Sequence, residues 1–153
     1  MDLVYEKINN GYHISTDKEL LNIAIIHNYL AKESYWAKNI PKEIVEKSIQ
    51  HSICFGVYFN KEQIGFARLI TDKATFAYLA DVFVLEGHRN KGIAKFLMKA
   101  ILDYPEIKEV RGILLRTKDA HELYKKFGWE QVGEESIKRY MVRYIHKEYP
   151  PLS

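Results

Sequence analysis

The sequence predicts an α/β protein, a central mixed twisted sheet flanked by about four helices. Three observations carry that prediction. Apolar spacing alternates between the period of a strand and that of a helix along all 153 residues. Three strand-like segments follow one another in the middle of the chain, Ile53–Phe59, Gln63–Ile70 and Phe76–Val84. The last of these leads through a glycine-containing turn into an amphipathic helix, the strand-turn-helix order of sheets whose ligands bind at strand ends.

Tyr12–Thr16 reads as a short first strand. Thr16 followed by Glu19 is a capping-box signature, opening a helix with Leu20, Ile23, Ala24, His27, Leu30 and Ala31 at helical spacing. That helix is apolar over more than one face, so it is expected between the sheet and a covering loop. Lys32–Ala37 breaks the spacing. Pro41 suits the first turn of a second helix reaching about His51, with Ile44, Val45 and Ile49 inward. From Ile53 the period is two, with a hairpin turn at Asn60-Lys61. A helix over Lys91–Tyr104 places Ile93, Phe96, Leu97, Ala100, Ile101 and Tyr104 inward, with Lys91, Lys95 and Lys99 on a solvated face. Pro105 ends it, Val110–Arg116 reads as an apolar strand, and a short helix from Asp119 to Phe127 closes at Gly128. Trp129–Val132 and Arg139–Tyr144 read as two closing strands. No repeat, low-complexity tract or linker interrupts residues 1–153, which are expected to form one domain.

A chain of this length buries roughly 70% of its unfolded surface and needs no staples. Its single cysteine, Cys54, excludes an internal disulfide and a cysteine-rich metal site, and its neighbours Ile53 and Phe55 make it a buried structural thiol. No run approaches the ~20 apolar residues of a membrane span, and the opening residues carry no signal-peptide pattern, so the expected location is the cytoplasm. The net charge of +3 arises from 23 basic residues dispersed among 20 acidic ones. That favours a small anionic ligand over nucleic acid, which asks for a basic face and a binding motif.

The most informative stretch is Asp81–Leu102. Val82, Phe83 and Val84 end a strand, Glu86-Gly87-His88 turn, and Arg89-Asn90-Lys91-Gly92-Ile93-Ala94-Lys95 opens the helix. Backbone N–H groups at a helix N-terminus lack intrahelical partners, so an anion there gains hydrogen bonds and roughly 0.3–2 kcal/mol from the helix dipole. Gly92, without a Cβ, lets a phosphate approach the backbone. Neither the Walker spacing nor the dinucleotide fingerprint occurs.

The spacing Arg-x-x-Gly-x-Ala after Asp-Val-Phe-Val resembles the acetyl-CoA pyrophosphate loop of the GNAT superfamily of N-acetyltransferases. Ala120–Trp129, with Tyr124-Lys125 and Gly128, resembles that family's late helix. The expected element order β-α-α-β-β-β-α-β-α-β-β is also the family's, over about Tyr12–Tyr144. The resemblance implies a GNAT-type acyltransferase fold and transfer of an acetyl group from acetyl-CoA to a primary amine by direct attack, in a monomer or homodimer, with no metal, membrane or nucleic acid involved. By the same resemblance, the backbone of Val82–Val84 binds the pantetheine arm and the acetyl carbonyl, Arg89–Lys95 the pyrophosphate, and Thr117 stands where relatives place an asparagine against the arm. Tyr124 takes the place of the acid that protonates the departing thiolate. A packing role against Leu123 and Phe127 is the alternative.

The general base is where the sequence departs from the family. Many members carry Glu-Asp before this strand's apolar run; here the pair is Ala80-Asp81. Asp81 is the remaining candidate, although strict strand alternation points it away from Ala80's face, and a structural carboxylate near a strand bulge is the alternative. The segment between the first two helices is expected to arch over the splayed strands. Its Tyr35 and Trp36 either plug the core or form an aromatic wall of the acceptor site. His88 and His121 lie near the two motifs without partners at metal-ligand spacing. The missing glutamate also admits a second function class, a catalytically degenerate acyl-CoA sensor or interaction module.

Overall fold

A computed structural model describes residues 3–152. Six strands form one sheet in sequence order: β1 (Glu6–Asn9), β2 (Tyr12–Ser15), β3 (Ile53–Phe59), β4 (Glu62–Thr71), β5 (Ala77–Val84) and β6 (Ile113–Leu114). The first four pairings are antiparallel, and β6 joins β5 in parallel through the crossover helix α3 (Ile93–Leu102). Parallel neighbours need such a crossover, because a tight turn can only reverse the chain. The sheet is therefore mixed.

Two turns set the hairpin registers. Asn60 and Lys61 both take positive φ, which matches the right-handed twist of the flanking strands β3 and β4. Asn10 and Gly11 do the same between β1 and β2, with φ of 50° and 81°. β1 lies outside the expected elements. All four of its residues are exposed, so it has no apolar alternation, and Asn10-Gly11 was its legible signal.

β3 is buried on both faces and divides the core in two. On one face Phe55 and Val57 meet Ile14, Leu69, Leu97, Met98 and Ile101, all fully buried, so that α3 is pinned across the sheet. On the other face Cys54, Phe66 and Phe83 pack beneath α1 (Ile23–Asn28), its π-helical continuation Tyr29–Glu33, and α2 (Lys42–Gln50). Burial pushes the Cys54 thiol up to about 11, which keeps it protonated and inert as a small core residue.

Three expectations need correction. Thr16 does not cap the first helix: its Oγ1 accepts from the Tyr5 N–H at 2.9 Å, Asp17 caps a 3-10 turn over Lys18–Leu20, and Asn22 caps α1 through the Ile25 N–H at 3.1 Å. Thr16 is drawn to the β1 edge, whose backbone needs a partner more than the already capped turn does. The strand expected over Val110–Arg116 contracts to Ile113–Leu114, because β5 and β6 part after two residue pairs. The closing strands expected over Trp129–Val132 and Arg139–Tyr144 do not form. A short helix, α5 (Glu134–Ile137), follows α4 (His121–Lys125), and residues 138–152 have no regular structure. A two-residue edge gives those segments no ladder to extend. Trp129 is held by its side chain instead, donating from Nε1 to the Ile113 carbonyl at 2.9 Å. Among the described residues no helix is long and apolar enough to cross a membrane.

Leu97, fully buried where α3 meets the sheet, tests this division of the core. Leu97→Ala is expected to lower unfolding free energy by about 2–5 kcal/mol, measured by urea denaturation.

Candidate active site

The site is built on the parting of β5 from β6. Pairing stops after Ala77↔Ile113 and Tyr78↔Leu114, so from Leu79 to Val84 the edge of β5 facing β6 has no strand partner. Along Val82–Val84 alternate residues turn their backbone groups to the resulting gap, where the Val84 carbonyl accepts from Arg89 Nε. On its other side β5 stays paired to β4 through Gly65↔Val84 and Phe66↔Phe83.

A β-bulge lies within this strand. The β4–β5 register shifts between Phe66 and Arg68, and Asp81 takes a φ of 55°. Leu79 and then Val82 face the α3 side, so the bulge advances the side-chain alternation by one residue. This corrects the expectation that Asp81 points away from Ala80's face. Ala80 pairs with Arg68, and the Asp81 carboxylate reaches the same arginine. Its Oδ2 accepts from Arg68 Nε at 2.9 Å and its Oδ1 from Trp36 Nε1 at 2.9 Å. Arg68 also donates to Ser52 Oγ at 3.0 Å. Each carboxylate oxygen thus accepts one side-chain hydrogen bond, and together they link β4, β5 and the arch.

The segment after the π-helical turn spans the gap. Ser34 Oγ donates to the Leu30 carbonyl and accepts from the Ala37 N–H, which folds the chain back on itself. Trp36 then bonds to Asp81 on β5. Tyr35 reaches the other arm, where its hydroxyl accepts from the Lys118 N–H at 2.9 Å. The two aromatic rings meet edge to face with centroids 5.1 Å apart. Tyr35 and Trp36 are 53% and 42% exposed, so they stand over the sheet and do not plug the core.

At the far end of β5 the chain turns through Glu86–His88 into the loop before α3. Asn90 and Gly92 take φ of 63° and 76°, and Gly92 is the N-cap residue of the helix. A Cβ on Gly92 would meet nothing within 4 Å, so the backbone conformation requires glycine and the space above is open. The N–H groups of Ile93, Ala94 and Lys95 head the helix without intrahelical partners, since the first such bond runs from Phe96 to the Gly92 carbonyl at 3.1 Å. The helix begins at Ile93, so Lys91 lies in the loop. Arg89 holds that loop in place: Nε donates to the Val84 carbonyl at 2.9 Å and Nη2 to the Tyr29 hydroxyl at 3.1 Å. Tyr29 in turn stacks on Phe83 at 4.1 Å. His88 is tied to β2 by a 2.9 Å bond between Nδ1 and the Tyr12 hydroxyl. Neither the Arg89–Tyr29 nor the His88–Tyr12 tie had a sequence signal, because those partners lie 60 and 76 residues away.

Tyr124 on α4 is buried against Trp129, with ring centroids 5.6 Å apart. Burial above all, with smaller contributions from Tyr35 and Asp119, pushes its phenol up to about 12. Thr117 uses its Oγ1 to accept from the Ala120 N–H at 3.0 Å, opening the turn into α4. The structure thus sets Val82–Val84 along the gap, Tyr35 and Trp36 across its two arms, Tyr124 within electrostatic reach of Tyr35, and Asn90–Lys95 one turn beyond the end of β5. It engages Asp81, Arg89 and Thr117 in holding that gap's walls.

Comparisons agree with this geometry. The acetyltransferase (GNAT) domain matches residues 50–131. A candidate acetyltransferase of Gibberella zeae is 30% identical over 146 residues, covering 80% of this chain and 81% of the relative. The crystal structure of a candidate acetyltransferase of the GNAT family from Xanthomonas campestris pv. campestris superposes with a TM-score of 0.83 at 44% identity, covering 88% of this chain and 93% of that one. A GNAT family acetyltransferase from Elizabethkingia anophelis, solved with acetyl-CoA bound, shares the fold at 19% identity, with a TM-score of 0.61 over 80% of this chain and 78% of that one. The chain belongs to the GNAT acetyltransferase family.

Removing the charge of Asp81 separates its two candidate roles. Asp81→Asn leaves Arg68 without its partner in a site where the two side chains are only 15% and 10% exposed, and is expected to lower stability by about 3 kcal/mol. The dependence of turnover on pH is expected to keep its slope, read from initial rates between pH 6 and 9.

Proposed function

We propose that this protein is an acetyl-CoA-dependent N-acetyltransferase of the cytoplasm, acting on a primary amine of a small molecule or peptide by direct attack. The observation that carries the proposal is the continuity of the site. A free strand edge, Leu79–Val84, leads through one turn to a helix N-terminus with open space above Gly92, and a buried phenol, Tyr124, lies within electrostatic reach of Tyr35 on the arch.

The residues fit such a donor. Asn90–Lys95 would hold the pyrophosphate through backbone N–H groups, with the positive helix end favouring its charge. The edge of Val82–Val84 would hold the pantetheine amides and donate to the acetyl oxygen, and donors already fixed in a strand need no reorganisation as charge develops there. When bound, acetyl-CoA supplies the thioester carbonyl: the nitrogen–carbon bond forms as the carbon–sulfur bond breaks. Tyr124 carries the proton that the leaving sulfur takes up. At about 12 against a thiol near 8.5, that transfer is uphill by roughly 5 kcal/mol in water. The same desolvation destabilises a thiolate at the site, which narrows the gap. The proton leaving the amine passes to water, since Asp81 is engaged with Arg68 and Trp36.

That last point favours a second reading, an acyl-CoA sensor without turnover. Acetyl-CoA consumption with a panel of amines separates the two: CoA binding without any acceptor-dependent thiol release would support the sensor.

Ala94→Glu places a carboxylate among the helix N–H groups at a position without backbone strain. It is expected to abolish CoA binding in calorimetric titration with the fold intact, and Gly92→Glu to do the same with an added cost of about 1–2 kcal/mol from its positive φ. Unchanged affinity in both would remove the donor site.

Tyr124→Phe is expected to reduce turnover by roughly 10²–10⁴ at little cost in CoA affinity. A phenol raised to about 12 keeps its proton at every pH below that, so the rate with an alkylamine is expected to climb to about pH 9 as the amine loses its proton, with no falling limb.

A further inference from the structure

The acceptor side of the gap carries one more assignment, which rests on the transferase reading. Paired residues on neighbouring strands share a face, so the pairs Arg68↔Ala80, Ile70↔Tyr78 and Tyr78↔Leu114 set one platform beneath Tyr35 and Trp36. Arg116 lies two residues beyond Leu114 and continues on that face. Its position is corroborated at Tyr78: burial raises that phenol, and Arg116 heads the charges acting on it, ahead of Asp81 and Arg68.

Charge on this platform is not balanced. Arg68 is matched by Asp81 at 2.9 Å. Lys118 lies over the Tyr35 ring, 5.5 Å from its centroid. Among the described residues Arg116 has no carboxylate within ion-pair distance and donates no hydrogen bond. Asp81 already accepts from Arg68 and Trp36, so Arg116 and Lys118 leave this platform positively charged. A cationic amine alone would be repelled here. One that also carries an anion meets an unmatched guanidinium, whose planar fork suits carboxylate and phosphate oxygens.

We propose that Arg116 receives an anionic group of the acceptor, so that the substrates of this enzyme are acidic amines, with a carboxylate or phosphate on the same skeleton as the attacking nitrogen. The rings of Tyr35, Trp36 and Tyr78 flank the apolar part of such a molecule.

Initial rates with matched acceptors test this: phenylalanine against phenethylamine, and phosphoethanolamine against ethanolamine, in wild type, Arg116→Gln and Arg116→Lys, with CoA affinity of each protein measured by calorimetry. The wild type is expected to prefer the acidic member of at least one pair by tenfold or more in kcat/KM. The responding pair distinguishes carboxylate from phosphate. Arg116→Gln is expected to raise KM for that member about 10–100-fold, collapsing the ratio within the pair, and Arg116→Lys to restore part of it. Equal use of both members by the wild type, or a preference that survives in Arg116→Gln, overturns the assignment. Should no amine be turned over, tryptophan fluorescence titration with the acidic amines in the presence of CoA reads the same selectivity. Saturable binding lost in Arg116→Gln supports the assignment, and no difference overturns it. Weakened CoA binding in Arg116→Gln would move Arg116 to the donor site and likewise overturn it. A wild type that does not bind CoA refutes the transferase reading itself.

Discussion

The parting of β5 from β6 after two residue pairs is the constraint on which the rest of this structure depends. Unpaired backbone groups inside a protein cost free energy unless something satisfies them, so a strand edge left open is retained only where a ligand or water takes the place of the missing strand. The bulge at Asp81 keeps the edge from closing. A non-glycine residue at positive φ costs about 1–2 kcal/mol, and here it is held by the arginine and the tryptophan that grip its carboxylate. The tryptophan bond also anchors the arch that covers the gap. One residue thus shapes the strand, orients Arg68 and fixes Trp36.

Apolar packing and polar ties divide the remaining work. The α3 face of the sheet is a closed core of fully buried aliphatic and aromatic side chains, which fixes where the helix begins. Its N-terminus therefore lies at the end of β5 by virtue of packing, and the loop before it is trimmed into place by Arg89 and His88. Arg89 ties the loop back to the end of β5 and across to the distant Tyr29, and His88 ties it to β2. The opposite face is left partly open, and there the aromatic side chains of the arch stand over a positively charged platform.

Much of this was legible along the chain. The β3–β4 hairpin, α2, α3 and the glycine-containing turn into α3 follow from apolar period, proline and glycine placement, all of which act over a few residues. The segment carrying Tyr35 and Trp36 was expected over the strands by resemblance, with a core plug or an acceptor wall left open for the two rings, and the edge of Val82–Val84 was expected by the same resemblance. What stayed hidden has a common cause. Thr16 looks like a cap until β1, whose own sequence lacks alternation, claims its hydroxyl. Arg139–Tyr144 has the composition of a strand, yet β6 offers too short an edge to pair with. Asp81 obeys strand alternation on paper, and a single extra residue in the ladder reverses it.

The sequence by itself determined the β3–β4 hairpin, α2, α3, the loop that opens α3 and the residues available for chemistry, because those are encoded in local spacing and backbone preference. Only the tertiary structure decided what the charged residues are for. Asp81 became a tie when Arg68 and Trp36, 13 and 45 residues away in the chain, closed on its two oxygens. Arg89 became a brace for the loop, while Arg116 has no ion-pair partner among the described residues. A charge is matched or unmatched only by what folding brings within a few ångströms of it, and no spacing along the chain records that distance.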